Sequence, residues 1–305
     1  MNINPMIEQP KGFPPLPSGW LSETETFPSH SGAVQMSALV LRKEPWAGPR
    51  LLLVIHGMGE HSGRYRHVPY YLANDLDAVY IPDLQGHGRS GGIRGHIERF
   101  DDLIDDLAMI VRQLDARLRN RFGKSEIHVL GHSLGGHLLL RLLLLYPDLP
   151  IQSATASAPF LGIKDPVPAA KKAAVQVLAK FCKSVKLNTG LDVRALSRDQ
   201  EVCKNYLKDP LNHPKMTPAF FRELLWAFGD TLRRDKGIQV PLQLLIPLAD
   251  RIVDAECAFR FFNNLELPEK RIKTYPGFYH EPLNEIGKEQ VFDDLRSWIQ
   301  EHSNG

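Results

Sequence analysis

Five residues, Gly131-His132-Ser133-Leu134-Gly135, constrain this 305-residue chain more than any others. Before them runs Glu126-Ile127-His128-Val129-Leu130, an apolar, partly β-branched stretch that reads as a buried strand. After them a leucine-rich run from Gly136 to Tyr146, stopped by Pro147, reads as a buried helix. A strand that passes into a helix through one serine turns too tightly for a Cβ at the flanking positions, and glycine occupies both. The G-x-S-x-G pattern in this setting is a nucleophile elbow. It projects the serine hydroxyl above the sheet edge, where the following helix offers backbone N–H groups to a developing negative charge.

The surrounding pattern supports that reading. Leu51-Leu52-Leu53-Val54-Ile55 is a short continuous apolar run, the signature of a strand buried on both faces of a parallel sheet. Further strands are predicted at Ala33 to Leu41, Ala78 to Ile81, Ser153 to Ala158, Leu242 to Ile246 and Ile272 to Tyr275. Helices are predicted over Tyr65 to Asn74, from Phe100 through the basic turn at Arg117 to Arg121, and near Gln290 to Ile299. Alternating strands and helices imply an α/β chain with a mostly parallel, doubly wound sheet. From Asp165 to about Arg234 the expectation is helices and loops only, an inserted cap. The expected division is a proline-rich extended arm over 1–30, a core over 31–159 and 237–305, and a helical cap over 160–236.

Composition excludes several classes. Apolar residues make up 43% and charged residues 24%, the ordinary proportions of a globular protein. The net charge of +2, with no basic cluster interleaved with aromatics, gives no reason to expect a nucleic-acid partner. Three widely spaced cysteines without a C-x-x-C pattern argue against a disulfide framework or a zinc site, and favour a reducing, cytoplasmic setting. The first ten residues have neither a basic start nor an apolar core, so no signal peptide is read, and no run is long enough to span a bilayer. Charge is unevenly placed: residues 160–236 hold 15 Lys+Arg against 8 Asp+Glu, or +7. That surplus reads either as a solvated helical surface or as a face resting on anionic lipid. The oligomeric state is left open.

A serine needs a base to take its proton, and the base needs an orienting carboxylate. On α/β-hydrolase folds the order along the chain is Ser, then Asp or Glu, then His. Asp250 follows a predicted strand and His280 follows the next, so both belong to loops that converge at the carboxyl edge of an open parallel sheet. Asp254 is the rival acid. Two N–H donors are needed to hold an oxyanion. One is expected from Leu134, after the nucleophile, and one from Met58 in the H-G-G-G-type loop His56-Gly57-Met58-Gly59. No metal or organic cofactor is required by this chemistry. The apolar stripes of the cap, Ala170 to Phe181 and Phe221 to Leu232, suit core packing, and part of such a face can also hold an acyl chain.

Several of these segments together resemble one family. His56-Gly57-Met58-Gly59-Glu60-His61-Ser62-Gly63-Arg64-Tyr65 is similar to the H-G-x-G-E-H-S-G-R-Y loop of monoacylglycerol lipases and their lysophospholipase relatives. Asp83 to Gly92 resembles their D-x-x-G-H-G-x-S-x-G turn, and Leu196-Ser197-Arg198-Asp199 with Asn205 to Leu211 resembles their cap signature. The resemblance runs from about residue 30 to the end. It implies an α/β-hydrolase fold, Ser133, Asp250 and His280 as the triad, and Glu60, Arg64 and Tyr206 at a glycerol-like head group, unless Glu60 and Arg64 only form a structural ion pair. The animal enzymes carry a second histidine three residues past the catalytic one, and this chain has Leu283 there. The implied activity is hydrolysis of single-chain lipid esters, monoacylglycerols first. Lysophospholipids or short-chain esters are the enzymatic alternatives, and a non-catalytic ligand-binding relative is the other.

Overall fold

The computed structural model describes residues 14–165, 168–234 and 236–303. Strands β1 (Trp20–Pro28), β2 (Gln35–Lys43) and β3 (Arg50–Ile55) open the fold. Next come α1 (Val68–Leu72), β4 (Ala78–Asp83), α2 (Phe100–Phe122), β5 (Glu126–His132), α3 (Leu134–Leu145) and β6 (Ser153–Ser157). An excursion then holds α4 (Ala169–Phe181), β7 (Leu187–Asn188), α5 (Gln200–Lys208), β8 (Lys215–Met216) and α6 (Pro218–Leu232). The chain returns to the sheet with β9 (Leu242–Pro247), α7 (Ala255–Asn264), β10 (Lys270–Tyr275) and α8 (Glu289–Glu301).

The main sheet has the order β1-β2-β4-β3-β5-β6-β9-β10. Neighbours from β4 to β10 are parallel, while β2 runs antiparallel to both β1 and β4. This is the α/β-hydrolase fold. The β3 run explains its own composition: Leu51, Leu53 and Ile55 enter one core with α2 and α3, and Leu52 and Val54 enter the other with α1 and α8. A strand covered on both faces has no solvent side on which polar residues belong. Because the inner strands are parallel, the loops after β3, β5, β9 and β10 all emerge along one edge, where Gly57, Ser133, Asp250 and His280 meet.

Three expectations need correction. Residues 20–28 are not an arm: β1 pairs along its whole length with β2, from Trp20 opposite Lys43 to Pro28 opposite Gln35. Pro17 precedes this strand and Pro28 ends it, so neither interrupts it, and its half-buried Glu23 and Glu25 are matched by Arg42 and Arg117. The first 13 residues of the expected arm lie outside the described residues. The helix expected over Tyr65 to Asn74 is a 3-10 turn at Ser62–Tyr65 followed by the short α1. Pro69 sits in the first turn of α1 and lacks the N–H that a helix continuing from Tyr65 would need. The cap is not all helix, because Leu187–Asn188 and Lys215–Met216 pair as a small antiparallel ladder. Nor is it a separate body at its α6 end: Phe220, Leu224, Ala227 and Phe228 join the same apolar core as α2 and α3.

Candidate active site

Ser133 ends the turn between β5 and α3 with φ 53° and ψ −115°, a conformation rare for a residue with a Cβ. The neighbours enforce it. The Ser133 N–H donates to Ser157 O at 2.9 Å, and its carbonyl accepts from the N–H groups of His137 at 3.1 Å and Phe160 at 2.9 Å. A Cβ on Gly131 would strike the Gly135 carbonyl, and one on Gly135 would strike the Ile55 carbonyl. The glycines of the motif therefore let the elbow press against β3 as well as turn.

His280 Nε2 lies 2.8 Å from Ser133 Oγ, and His280 Nδ1 lies 2.7 Å from Asp250 Oδ2. The other Asp250 oxygen accepts N–H groups from Ile252 at 2.7 Å and Val253 at 3.1 Å, which fixes the carboxylate in place. Burial disfavours the imidazolium of His280, but the Asp250 carboxylate outweighs burial and raises the pKa above the ordinary histidine value. Burial likewise opposes the Asp250 anion, and the charge and hydrogen bond of His280 outweigh it, so the acid stays ionised. Asp254 stands elsewhere: its side chain caps α7 by accepting from Glu256 N at 3.1 Å.

The two expected oxyanion donors occupy suitable backbone. Leu134 is the first residue of α3, where N–H groups have no intrahelical acceptor. Among the described residues no acceptor takes the Met58 N–H. The Met58 loop is held by His56, whose Nε2 accepts the Leu84 N–H at 3.0 Å, leaving Nδ1 to donate to Gly57 O at 2.8 Å. His87 Nε2 lies 3.3 Å from the Met58 sulfur.

Glu60, Arg64 and Tyr206 are brought to this site, with most of their polar groups already engaged. Glu60 Oε2 pairs with Arg64 Nη1 at 2.6 Å, and its Oε1 accepts the Gly57 N–H at 2.5 Å and the Tyr65 hydroxyl at 2.7 Å. The Tyr206 hydroxyl donates to Gly59 O at 3.2 Å. Two participants went unnoticed in the sequence. Glu281, directly after His280, accepts from both terminal nitrogens of Arg64, Nη1 and Nη2. Glu285, fully buried, accepts from Ser197 Oγ, Arg198 N, Tyr279 N and Ile286 N, and so ties the histidine loop to the cap. Two acids spaced four apart after a candidate base were the only local signal. Leu283 faces away from the site, into the core with Phe278 and Phe292.

Above the serine lies a cavity of about 690 Å³. Its serine end carries Met58, His132, Ser133 and His280, and its cap walls carry Val175, Leu187, Leu196, Met216, Phe221 and Leu224. The cap side also contributes the polar Asn188, Thr189, Asp192 and Thr217, so the cavity offers a mixed lining suited to an amphipathic ligand.

The chain is similar to known proteins. Residues 49–287 match the family described as serine aminopeptidase, S33. A monoacylglycerol lipase of Mycolicibacterium smegmatis is 32% identical over 260 residues, spanning 85% of this chain and 91% of its own length. The phospholipase YtpA of Bacillus subtilis is 27% identical over 254 residues, spanning 83% of this chain and 95% of its own. The crystal structure of a monoacylglycerol lipase from Paleococcus ferrophilus superimposes with a TM-score of 0.75 at 27% identity, covering 93% of this chain and all of its own. With Ser133, His280 and Asp250 in one hydrogen-bonded chain on the carboxyl edge of this sheet, and the family match running across both halves of the core, the chain belongs to the S33 serine aminopeptidase family of α/β-hydrolase-fold proteins.

Proposed function

We propose that this protein is a serine ester hydrolase that cleaves single-chain lipid esters, monoacylglycerols foremost, through an acyl-enzyme. The observation that carries the reading is the unbroken chain from Ser133 Oγ through His280 to Asp250 at the floor of a cavity to which the cap brings Val175, Leu187, Leu196, Met216, Phe221 and Leu224. Ser133 attacks the ester carbonyl while His280 Nε2 takes its proton, and Asp250 holds the imidazole in the required tautomer. The N–H groups of Leu134 and Met58 receive the oxyanion. His280 then protonates the departing alcohol, and water, activated by the same base, releases the fatty acid.

The apolar side chains among the cap walls favour an acyl chain. The family description names aminopeptidases, yet the carboxylates at the serine end of the cavity, Glu60 and Glu281, are both engaged by Arg64, and a peptide's α-ammonium beside the scissile bond would need one of them free. The names of the relatives point the same way, two being monoacylglycerol lipases and one a phospholipase. Among the described residues no helix is long and apolar enough to cross a membrane. The reading adds peripheral contact with anionic lipid through the cap, whose α4 end exposes Phe181 at 77%, Val177 at 59% and Val185 at 51% among Lys180, Lys183 and Lys186.

The test is labelling with a serine-reactive fluorophosphonate, followed by hydrolysis rates over monoacylglycerols, lysophosphatidylcholine and p-nitrophenyl esters of graded length. Labelling at Ser133 that Ser133→Ala abolishes, with fastest turnover of monoacylglycerol, is the expected result. Folded protein that does not label sinks the reading. Preference for lysophosphatidylcholine moves the substrate to the phospholipase alternative.

A further inference from the structure

One guanidinium joins the two loops that this chemistry depends on. Arg64 Nη1 lies 2.6 Å from Glu60 Oε2 and 2.6 Å from Glu281 Oε1, and Arg64 Nη2 lies 2.7 Å from Glu281 Oε2. Glu60 belongs to the loop after β3 and receives the N–H of Gly57, the neighbour of the oxyanion donor Met58. Glu281 is the residue after His280, and Asn284 Nδ2 donates to its second oxygen at 3.1 Å. All three charged side chains are buried, and the ring of Tyr206 from the cap covers the guanidinium at 5.0 Å.

Two buried carboxylates against one cation leave a net negative charge beside the base, before Asp250 is counted. Negative charge favours the imidazolium, and an imidazolium cannot accept the serine proton. The charged and titratable groups about His280 are Asp250 from the loop after β9, His132 from β5, Glu60 from the loop after β3, Glu281 from its own loop, Arg64 paired with both glutamates, and Arg251, whose guanidinium stacks on Tyr279 and bonds its hydroxyl. His132, its ring 5.0 Å from that of His280, supplies no charge near neutrality, because burial holds it down to about 4. Among these groups Arg64 is therefore the cation bonded to both carboxylates, whereas Arg251 is turned to Tyr279.

We infer that Arg64 is a positioning residue for the acyl-transfer machinery: through Glu60 and Glu281 it locks the oxyanion loop to the histidine loop, and its charge offsets the two carboxylates crowding the base. The inference deepens the reading of this same site as a serine hydrolase. It assigns to Arg64 a task other than contact with a substrate head group. The direction at His280 agrees: burial lowers it, Asp250 raises it more, and Glu281 and Glu60 push the same way as Asp250. Removing the guanidinium frees both acids to act on the base without a counterweight.

The experiment is the rate of fluorophosphonate labelling against pH for wild type, Arg64→Met, Glu281→Gln and the double variant, each checked for folding by circular dichroism. This readout requires no knowledge of the natural ester. The acidic midpoint should rise by about 1 pH unit in Arg64→Met and fall by about 1 in Glu281→Gln, with the double variant between them. The plateau rate of Arg64→Met should fall roughly 10- to 10²-fold from loss of alignment. Folded variants whose midpoints all coincide with wild type overturn the inference and leave Arg64 a structural brace. Should Arg64→Met not fold, Glu281→Gln decides alone: an unmoved midpoint overturns the inference and a lowered one supports it. Wild type that fails to label overturns the hydrolase reading beneath, which is a different result from coincident midpoints.

Discussion

His280 Nε2 and Ser133 Oγ stand 2.8 Å apart although 147 residues separate them in the chain. They meet because β5 and β10 are parallel members of one sheet, with β6 and β9 between them, so the residues that follow them leave at the same edge. His280 is buried against Asp250, and on the proposed mechanism its titration sets the acidic limit of activity. Since Asp250 raises the pKa of His280, kcat/KM should fall as pH drops through that raised value, as the imidazole becomes imidazolium. Asp250→Asn removes the cause, so its residual activity should persist to lower pH than wild type. A pH–rate profile for both proteins checks the direction.

The two candidate acids separate by different readouts. Asp250→Asn should cost about 10⁴ in kcat, because the imidazole loses its orienting carboxylate. Asp254→Asn should leave kcat within a few-fold, since that side chain caps α7 and asparagine caps nearly as well. Kinetics of the two variants, measured side by side, test this, and the reverse pattern would reassign the acid.

Glycines of similar appearance should respond unequally to alanine. Gly135→Ala drives a Cβ into the Ile55 carbonyl on β3, backbone against backbone, and should abolish soluble, folded protein. Gly123→Ala, at φ 74° after α2 with open space around it, meets only the left-handed backbone cost of about 1–2 kcal/mol. Thermal melts of the two variants compare steric collision with local strain.

Acid should unfold this protein through its buried histidines. Burial lowers His137 to about 3 and His132 and His67 to about 4, from an ordinary 6.5. The folded state thus prefers the neutral rings, so the stability they contribute is complete above pH 6.5 and is lost as pH falls toward those lowered values. Thermal midpoints should decline steadily from pH 6.5 to 4. His137→Phe removes one ring nitrogen bonded to Thr231 and should lower the midpoint at pH 7 while flattening its slope below 6.5.

Cap contact with lipid is testable apart from catalysis. Protein should co-sediment with anionic vesicles at low salt, less with neutral ones, and Phe181→Glu should weaken it several-fold while hydrolysis of a soluble short-chain ester is unchanged. Absence of sedimentation at low salt removes the membrane reading.

Much of the site was legible in the chain because its constraints are local. The elbow declares itself in five residues, since only glycine fits two positions to either side of a serine held at positive φ. The continuous apolar β3 run states that both faces are covered, and chain order together with strand ends selected Asp250 and His280. Pairing across distance was not legible. Nothing near Trp20 says that β1 will join β2, because an alternating segment at a sheet edge and a solvated extended arm have similar composition. Nothing near Glu281 says that its partner is Arg64, 217 residues away, since a carboxylate carries no address for its cation. Sequence alone determined which chemical groups exist and where the backbone must turn. Only the tertiary structure decided which charges neutralise one another, because that depends on the sheet order that brings distant loops to a common edge, and on the burial that makes each pairing obligatory.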